Sequence, residues 1–551
     1  MRCDVTVLRP NYAVLGAVLA ALLFAASATA AQPTATPSGR TWESDGSAPN
    51  IQRIHNTQAV DGDTITIPSG TFSWTSTLNI TKAITIQGNT TTDPINGTAV
   101  DNTIIQDNIP LSANNGLISL RGNGGQRITG ITFVQGRTQM QSNGIIRQDA
   151  GHNPSRFDHL HFNHVYFSPM IQVSTTNYGV IDHCVMAHPV SNEGIAHVWM
   201  NNVNGGTNGD GAFTQPADWG SANFFFVETN YLHGGVDVTW GTRLVVRYNK
   251  FFDANIASHG TGMTFHDGRG PRAVEVYNNE WHSTTAWTMD GCNGGTYLAH
   301  DNTFPDIKPS GISLGDYRCV YSYGAPFYGA DGANAWDYNA TEADGSHVDG
   351  HHPYLFESGT LTSTGSKMLT DSTKHWATNQ WANHSVRRTS DGATALIASN
   401  TATTLTIQQW QSQGWAAGNN YEIHKVLSVL DQPGLGQVTT FDRAHPAWPN
   451  QRIEPCYSWN NVASDNSHVN FVVASYSPTI IRDIHYFNDT PLPGYTPYTY
   501  PHPLTTSLAP PQSRASSPQQ AQKKRKKWGQ AKKGWGKAKK LPANEMAQPE
   551  Q

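Results

Sequence analysis

The chain has 551 residues, and its formal net charge of −5 combines two regions of opposite sign. The run "KKRKKWGQAKKGWGKAKK" at 523–540 holds ten basic and no acidic residues, which leaves 26 basic against 41 acidic residues elsewhere, a balance of −15. Only 14% of the residues are charged, 10% are aromatic and glycine is abundant, so the composition argues against a mainly helical protein and favours a turn-rich β fold.

The first thirty residues have the order of a secretory signal peptide. Arg2 and Arg9 precede the apolar run "AVLGAVLAALLFAA", and small residues follow as far as Ala31. We predict cleavage near Ala30, a polar linker at 31–50 and a secreted protein, extracellular or periplasmic. No later stretch has the eighteen or so apolar residues that a bilayer span requires, so no transmembrane segment is expected in the mature chain.

Four cysteines remain after cleavage: Cys184, Cys292, Cys319 and Cys456. Export permits disulfides, but the sequence leaves all three pairings open. Four buried thiols that pack as small apolar groups are the alternative. Their wide spacing argues against a zinc site of the CxxC type.

The next segment, "AVDGDTITIPSGTFSWTSTLNITKAITIQGN", alternates short β-branched runs with Gly, Asn and Asp turns, which predicts successive strands. A repeat then appears, formed by an aliphatic residue, two others, Asn, any residue and a large apolar residue. It occurs as "VETNYL" at 227, "VRYNKF" at 246, "VYNNEW" at 276 and "AHDNTF" at 299, and more loosely as "LHFNHV" at 160 and "IDHCVM" at 181. Units of twenty to thirty residues cannot bury their own apolar faces and must stack, so the repeat predicts a parallel β-helix whose corner asparagines bond each other.

The rest of the chain departs from this repeat. Residues 51–355 are predicted as β-helix, 356–430 as a small inserted β module, and 431–504 as a return to the helix with a C-terminal wrap, because "WNN" at 459–461 restarts the pattern. Residues 505–551 cannot bury a core and are predicted to be a disordered basic tail. The tail could tether the acidic body to an anionic cell-envelope polymer. We expect a monomer that binds no nucleic acid.

The segments "VIDHC", "VETNYLHGGVDVTWGTRLVVRYNKFF" and "RGPRAVEVYNN" resemble the pectate-lyase-like (pectin-lyase-like) right-handed β-helix superfamily, over about 51–355 and again at 454–461. The resemblance implies that Arg269 removes the proton next to a uronate carboxylate, with Pro271 in the family's position. It implies a calcium cofactor held by acidic residues on neighbouring rungs. The family's second arginine position holds Val274, and the nearest arginine is Arg272, two places earlier.

The register of the repeat gives a second set of candidates. Two places before each corner lie outward-facing residues, which form either a solvated face with a Glu228–Arg247 pair or a groove for an extended sugar chain. His259 and His266 could act as an acid or a base. The resemblance also implies that Asp182 and Asp237 hold calcium, through the family's "IDH" and the segment "GGVDV". With the resemblance and the register taken together, the predicted site comprises catalytic Arg269, Arg272 and His266, substrate-binding Arg247, Tyr277, His300 and His259, and calcium-binding Asp182, Glu228 and Asp237.

Three functions follow as hypotheses. The preferred one is a polysaccharide lyase that cleaves a uronate-containing glycan by β-elimination. A non-catalytic, adhesive glycan-binding protein at the cell surface is the alternative. A glycoside hydrolase would require an acidic pair, such as Asp182 with Glu228 or Asp237.

Overall fold

The computed structural model describes residues 39–110, 116–136, 144–149, 153–163, 170–174, 178–187, 196–201, 216–239, 241–259, 271–282, 289–290, 295–314, 355–382, 384–391, 394–407, 414–425, 434–435, 450–451, 454–473, 480, 482–483 and 485–506. The predicted signal peptide at 1–30 and nearly all of the predicted basic tail lie outside these residues. In the described part of the chain no helix is long and apolar enough to cross a membrane.

Three parallel sheets, A, B and C, make up most of this structure. Sheet A has twelve strands: Thr41–Glu43, Thr64–Thr66, Thr85–Gln87, Arg127–Thr129, Ser155–Asp158, Gly179–Asp182, Phe225–Glu228, Arg243–Arg247, Ala273–Tyr277, Tyr297–His300, Cys456–Trp459 and Tyr486–Asn488. Sheet B has ten: Gly70–Trp74, Thr103–Asp107, Thr132–Gln135, His161–Asn163, Val185–Ala187, Tyr231–His233, Lys250–Phe252, Glu280–His282, Thr303–Phe304 and Val462–Ala463. Sheet C has eight: Leu78–Ile80, Ile118–Leu120, Ile146–Gln148, Ile171–Ser174, Ala196–Asn201, Gly235–Thr239, Ile256–His259 and Met289–Asp290.

Each circuit of the chain adds one strand to each sheet, which makes the molecule a right-handed parallel β-helix. Within each sheet the strands lie in the order in which they occur along the chain, and neighbouring strands are parallel. Val227 pairs with Val246, and Val246 pairs with Val276, so the predicted adjacency of these three strands is confirmed. A further parallel pair, Ile312–Leu314 with Phe471–Val473, lies at the C-terminal end.

Alternate residues of all three sheets fill one continuous apolar core. In one rung Val227 comes from sheet A, Leu232 from sheet B and Val236 from sheet C, and all three are buried. A helix at Ala48–Thr57 closes the N-terminal end. It begins at Ser47, whose hydroxyl accepts from the Asn50 backbone N–H, and it buries apolar side chains in the same core. Part of the predicted linker is therefore strand and helix.

The corner between sheets A and B contains the predicted asparagine ladder. Asn230, Asn249, Asn279, Asn302 and Asn461 stack on successive rungs. From Asn249 onward, each Oδ1 accepts from the backbone N–H and the Nδ2 of the asparagine one rung earlier, at 2.8–3.2 Å, and Asn230 Oδ1 accepts from the Cys184 backbone N–H at 2.9 Å. The residue before each asparagine has a positive φ of 53–58°, so the ladder holds non-glycine residues in the left-handed region.

The loosest member of the predicted repeat is assigned wrongly. Asn163 lies in a sheet B strand opposite Val134, and His161 belongs to the same strand, so neither marks the corner. Leu160 occupies the corner instead. Its carbonyl accepts from the Val185 backbone N–H, just as the carbonyl of the corner residue Asn230 accepts from the Lys250 backbone N–H two rungs later. Apolar residues alternate on both sides of the turn, so the sequence pattern alone also fits a corner three residues later, at Asn163.

The inserted module is an antiparallel sheet of seven strands with its own core. The strands are Leu355–Thr360, Ser363–Gly365, Met368–Thr370, His384–Arg388, Thr394–Asn400, Thr404–Ile407 and Asn420–Lys425. Buried Leu369, Val386 and Ile423 belong to that core. The remaining described elements are two short hairpins, Thr91–Asp93 with Thr98–Val100 and Gly434–Leu435 with Asn450–Gln451, and a C-terminal helical turn at Pro503–Thr506.

Candidate functional site

Five of the predicted site residues form one column on the outer side of sheet A. The register joins Asp182 to Glu228, Glu228 to Arg247, Arg247 to Tyr277, and Tyr277 to His300. Side chains alternate across a strand, and the residue before each of these five belongs to the apolar core. The sequence therefore predicted this column correctly in its register.

The charges in this column are paired inside the protein. Asp182 accepts from Nε and NH2 of Arg156 at 2.9 and 2.7 Å, and Glu228 Oε2 accepts from Arg247 Nε at 2.7 Å. All four side chains are buried. The predicted pair of Glu228 with Arg247 exists, but it is buried and not solvated.

The C-terminal segment 495–506 lies over the column. Arg247 donates from NH1 to the Tyr498 carbonyl at 2.6 Å and from NH2 to the Thr499 carbonyl at 2.8 Å. The His502 backbone N–H donates to Glu228 Oε1 at 2.7 Å. Arg247 is consequently 0% exposed, so a polysaccharide has no access to this pair while the segment stays in place.

An aromatic stack occupies the C-terminal end of the same column. The His300 ring lies between Tyr277 and Trp459, with ring centroids 4.7 and 4.1 Å away, and its Nδ1 bonds to Asp301. Burial lowers the pKa of His300, and Asp301 offsets that effect only in part. Burial raises the pKa of Glu228, against the opposing effect of the Arg247 charge. Both pKa shifts reflect the burial of these side chains.

Of the remaining predicted residues, only Arg272 and Asp237 have described side chains. Arg269 and His266 lie outside the described residues, and of His259 only the backbone is described, in sheet C. Arg272 is 2% exposed, and its NH2 lies 2.9 Å from Glu454 Oε2. That ion pair connects the start of one sheet A strand to the residues just before a later one, which gives Arg272 a structural partner.

Asp237 belongs to a second outward column, on sheet C. The register joins Arg147 to Gln172, Gln172 to Trp199, and Trp199 to Asp237. Asp237 is partly buried, and its neighbours along the strand, Val236 and Val238, are core residues. Sheet C thus carries a charged and amide-bearing column, in which Gln172 is 6% exposed and Arg147 pairs with Asp149. The sequence did not indicate this column, because its strands lack the asparagine corner that marks sheet A.

Two long connections run from sheet C to sheet A, and a third follows the strand pair at the C-terminal end. Residues 202–224 and 260–272 connect sheet C strands to sheet A strands, and residues 315–455, which include the inserted module, connect Ile312–Leu314 to Cys456–Trp459. The corner between sheets A and B takes only two residues in each ladder rung. In a solenoid, insertions collect on one face, which is often the binding face. His266 and Arg269 belong to one of these connections.

The predicted calcium ligands do not form a calcium site. The carboxylates of Asp182 and Glu228 are bonded to arginines on sheet A, whereas Asp237 lies on sheet C. Calcium needs six to eight oxygen ligands around one point. Within the described residues there is no group of three or more His, Cys, Asp or Glu side chains that could hold a metal ion. We therefore derive no step through calcium.

Several residues that organise the covered column escaped the sequence analysis. Arg156 binds Asp182, and its NH1 donates to the Leu504 carbonyl at 3.1 Å. Glu275 accepts from the Tyr495 hydroxyl at 2.6 Å. Arg156 sits two places before Asp158, in a strand whose corner residue is Leu160, so the asparagine pattern gave no signal for it.

Searches of family models, of characterised proteins and of solved structures find no match to this chain. The fold defines the class of this chain: an all-β protein built on a right-handed parallel β-helix, with an antiparallel module inserted between the strand Ile312–Leu314 and the sheet A strand Cys456–Trp459.

Proposed function

We propose that this chain is an exported protein that binds a uronate-containing polysaccharide along the outer face of sheet C and cleaves it by β-elimination. The observation that carries the proposal is the sheet C column of Arg147, Gln172 and Asp237, which lies on the side from which the long connections leave. A parallel sheet repeats its side chains about every 4.8 Å, so it offers an extended polymer regularly spaced contacts.

The chemistry rests on the connection 260–272. In β-elimination a base removes the proton on the carbon next to the uronate carboxylate, the electrons form a carbon–carbon double bond, and the glycosidic oxygen leaves. The resemblance of "RGPRAVEVYNN" to the pectate-lyase-like superfamily assigns the base role to Arg269. A guanidinium has a pKa above about 12, so it accepts a proton only where it is desolvated or surrounded by cations. His266, three residues earlier, is the second candidate base.

The decisive experiment is incubation with a panel of polyuronates, with and without calcium, while the ultraviolet absorbance of the unsaturated product is followed. The proposal expects product from at least one polymer, lost in Arg269→Ala and reduced in Asp237→Asn. Asp306→Asn is the matched control, because Asp306 is an exposed carboxylate beyond a sheet B strand. Absence of product from every polymer would contradict the proposed cleavage.

Glycan binding without cleavage is the second candidate. It is favoured by the engagement of Asp182 and Glu228 with arginines, which leaves Asp237 as the sole predicted carboxylate on sheet C within the described residues. A glycoside hydrolase would need an acidic pair, but Asp182 and Glu228, which are neighbours in register, are each bound by an arginine, and Asp237 lies on another sheet, so we do not favour this function. Retained binding to a polyuronate without product would select this candidate, and the Lys-rich run at 523–540 would then serve as a second, electrostatic attachment to anionic envelope polymers.

A further inference from the structure

One stretch of this acidic protein is strongly basic. Positions 108–157 hold five arginines and a single acidic residue, Asp149, although the chain outside the Lys-rich run has a balance of −15. Two of the five, Arg127 and Arg156, bind carboxylates on sheet A strands. The excess of positive charge therefore falls on the other arginines of the stretch, and two of these lie at sheet C.

These two arginines, Arg121 and Arg147, lie on adjacent rungs around one carboxylate. Arg147 belongs to the strand Ile146–Gln148, and Arg121 directly follows the neighbouring strand Ile118–Leu120. Asp149 accepts a hydrogen bond from Arg147 Nε, and its Oδ2 lies 3.7 Å from Arg121 Nε. Two positive charges thus share one negative charge. We call these three residues the arginine cluster.

The arginine cluster is open to solvent, whereas the next rung of the column is closed. The side chains of Arg121, Arg147 and Asp149 are 47, 20 and 22% exposed. Gln172, the neighbour of Arg147 in register, is only 6% exposed. A ligand at this end of sheet C therefore meets the arginine cluster, at the ends of the strands, and not the middle of the next rung.

The same strand ends lead to the connection that carries the proposed chemistry. The connection 260–272 follows the strand Ile256–His259, which lies four strands after Ile146–Gln148 in sheet C. Strands in a sheet are about 4.8 Å apart, so the arginine cluster is about 19 Å from that rung along the solenoid. Only an extended polymer of several sugar units can contact both places.

An acidic protein repels a polyanion unless positive groups lie where the polymer binds. In the described strands of sheet C, Arg147 is the sole lysine or arginine. Asp149 holds its guanidinium in one orientation, so less conformational freedom is lost when a ligand carboxylate binds. The arginine cluster is thus the place on this face where a polyanion gains attraction.

We infer that Arg121 and Arg147 form a remote subsite, which holds a carboxylate of the uronate polymer about four rungs before the connection 260–272. The guanidinium N–H groups donate to the carboxylate oxygens, and Asp149 orients the arginines. This inference rests on the proposed function for its ligand and its face. Because the subsite is far from the bond that is cleaved, it stabilises bound substrate and transition state equally, and it acts on KM and not on kcat.

The test measures the affinity of the full-length protein for a long polyuronate by calorimetry. The variants are Arg121→Gln, Arg147→Gln and the double variant. Arg482→Gln is the matched control, because Arg482 is 60% exposed and its Nε lies 3.7 Å from Asp483 Oδ1, so the same charge is removed from a similar pair just before the last sheet A strand. An uncharged glycan of similar length is the second probe, and urea denaturation checks that each variant is folded.

We expect the affinity for the polyuronate to fall about threefold to fivefold in each single variant and about tenfold or more in the double variant, since partly exposed charge pairs have effects of this size. Arg482→Gln should stay within about twofold of the wild type. The difference should shrink at about 0.5 M salt, which screens exposed charges. An equal loss in Arg482→Gln, an unchanged affinity in the double variant, or a wild type that binds no polyuronate would overturn the inference.

Product formation is followed in the same samples, which separates the two proposals. If the wild type releases product, the double variant should keep kcat with a raised KM, and a loss of kcat at unchanged KM would refute a remote subsite. If the wild type binds the polymer but releases no product, the proposed cleavage fails and the affinity comparison still decides the subsite. If product appears with affinity and KM unchanged in the double variant, the subsite is refuted while the proposed cleavage survives.

Discussion

The asparagine ladder should be the most sensitive structural element of the β-helix, and Asn249→Ala tests it. Asn249 Oδ1 accepts from Asn230 N and Nδ2, both at 3.0 Å. Asn249 Nδ2 donates to the carbonyls of Val227 and Arg247 at 2.9 and 3.0 Å, and to Asn279 Oδ1 at 3.0 Å. Truncation to alanine removes all five of these bonds from a buried corner.

The expected loss of stability in Asn249→Ala depends on which hydrogen-bond partners of Asn249 keep another partner. Asn230 Nδ2 retains two carbonyl acceptors, and Asn279 Oδ1 retains the Asn249 backbone N–H. The Asn230 backbone N–H has no acceptor among the described residues other than the lost Oδ1, and a buried unpaired donor costs about 1–3 kcal/mol. With about 0.5–1.5 kcal/mol for each weakened bond, the free energy of unfolding should fall by about 3–5 kcal/mol.

The assay is urea denaturation of the full chain, with hydrogen exchange of the Asn230 amide as a local readout. Asn163→Ala is the matched control, because Asn163 shows the same sequence pattern but lies in a sheet B strand outside the ladder. Its change should stay within about 0.5 kcal/mol. Similar losses for Asn249→Ala and Asn163→Ala would refute the reasoning that the ladder bonds carry the stability of this corner.

Four further outcomes are expected. Cys184→Asn should match or exceed the wild type in urea resistance while Cys184→Ala falls below it, because Cys184 Sγ lies 3.7 Å from the Phe157 carbonyl, where a ladder amide would donate. Thiol reagents at pH 8 should label Cys184 and Cys456 only after unfolding, as measured by mass spectrometry, because burial raises the pKa of both thiols, that of Cys456 to about 12. The pKa of His300 is lowered in the folded protein, so the unfolded state binds a proton at this histidine first, and His300 should reduce the free energy of unfolding as pH falls below about 6.5. His300→Phe should therefore lose less stability than the wild type between pH 7.5 and 5.5. An equal loss in the two proteins would contradict this. Glu228→Gln should destabilise the fold by about 3 kcal/mol or more in the same urea assay and increase proteolysis within 495–506, because it leaves Arg247 buried without a compensating charge.

The sequence predicts those features that repeat along the chain. Asn249 and Asn279 recur at one corner with apolar residues on both sides, so the β-helix, the ladder and the outward column of Glu228 and Arg247 all follow from one pattern. The pattern fails at Asn163, where no neighbouring asparagine fixes the register. Local periodicity therefore predicts a position only where adjacent rungs confirm it.

Whether the sheet A column is accessible to a ligand depends on contacts between residues far apart in the chain. The segment 495–506 covers Arg247 through the backbone carbonyls of Tyr498 and Thr499, and every residue type has such a carbonyl. No side-chain motif could therefore have indicated that the column is closed.

The ladder also explains where this protein can vary. An asparagine that bonds both neighbouring rungs requires the same two-residue turn on each of them, so an insertion at that corner would break bonds on two sides. The long A-to-B connection among the described rungs, which forms the hairpin Thr91–Asp93 with Thr98–Val100, lies before the ladder begins at Cys184. The sheet C side has no such constraint and carries the connections 202–224 and 260–272. Ligand recognition can therefore change on that side without loss of the stacked core, which is why the proposed binding surface lies on the sheet C column.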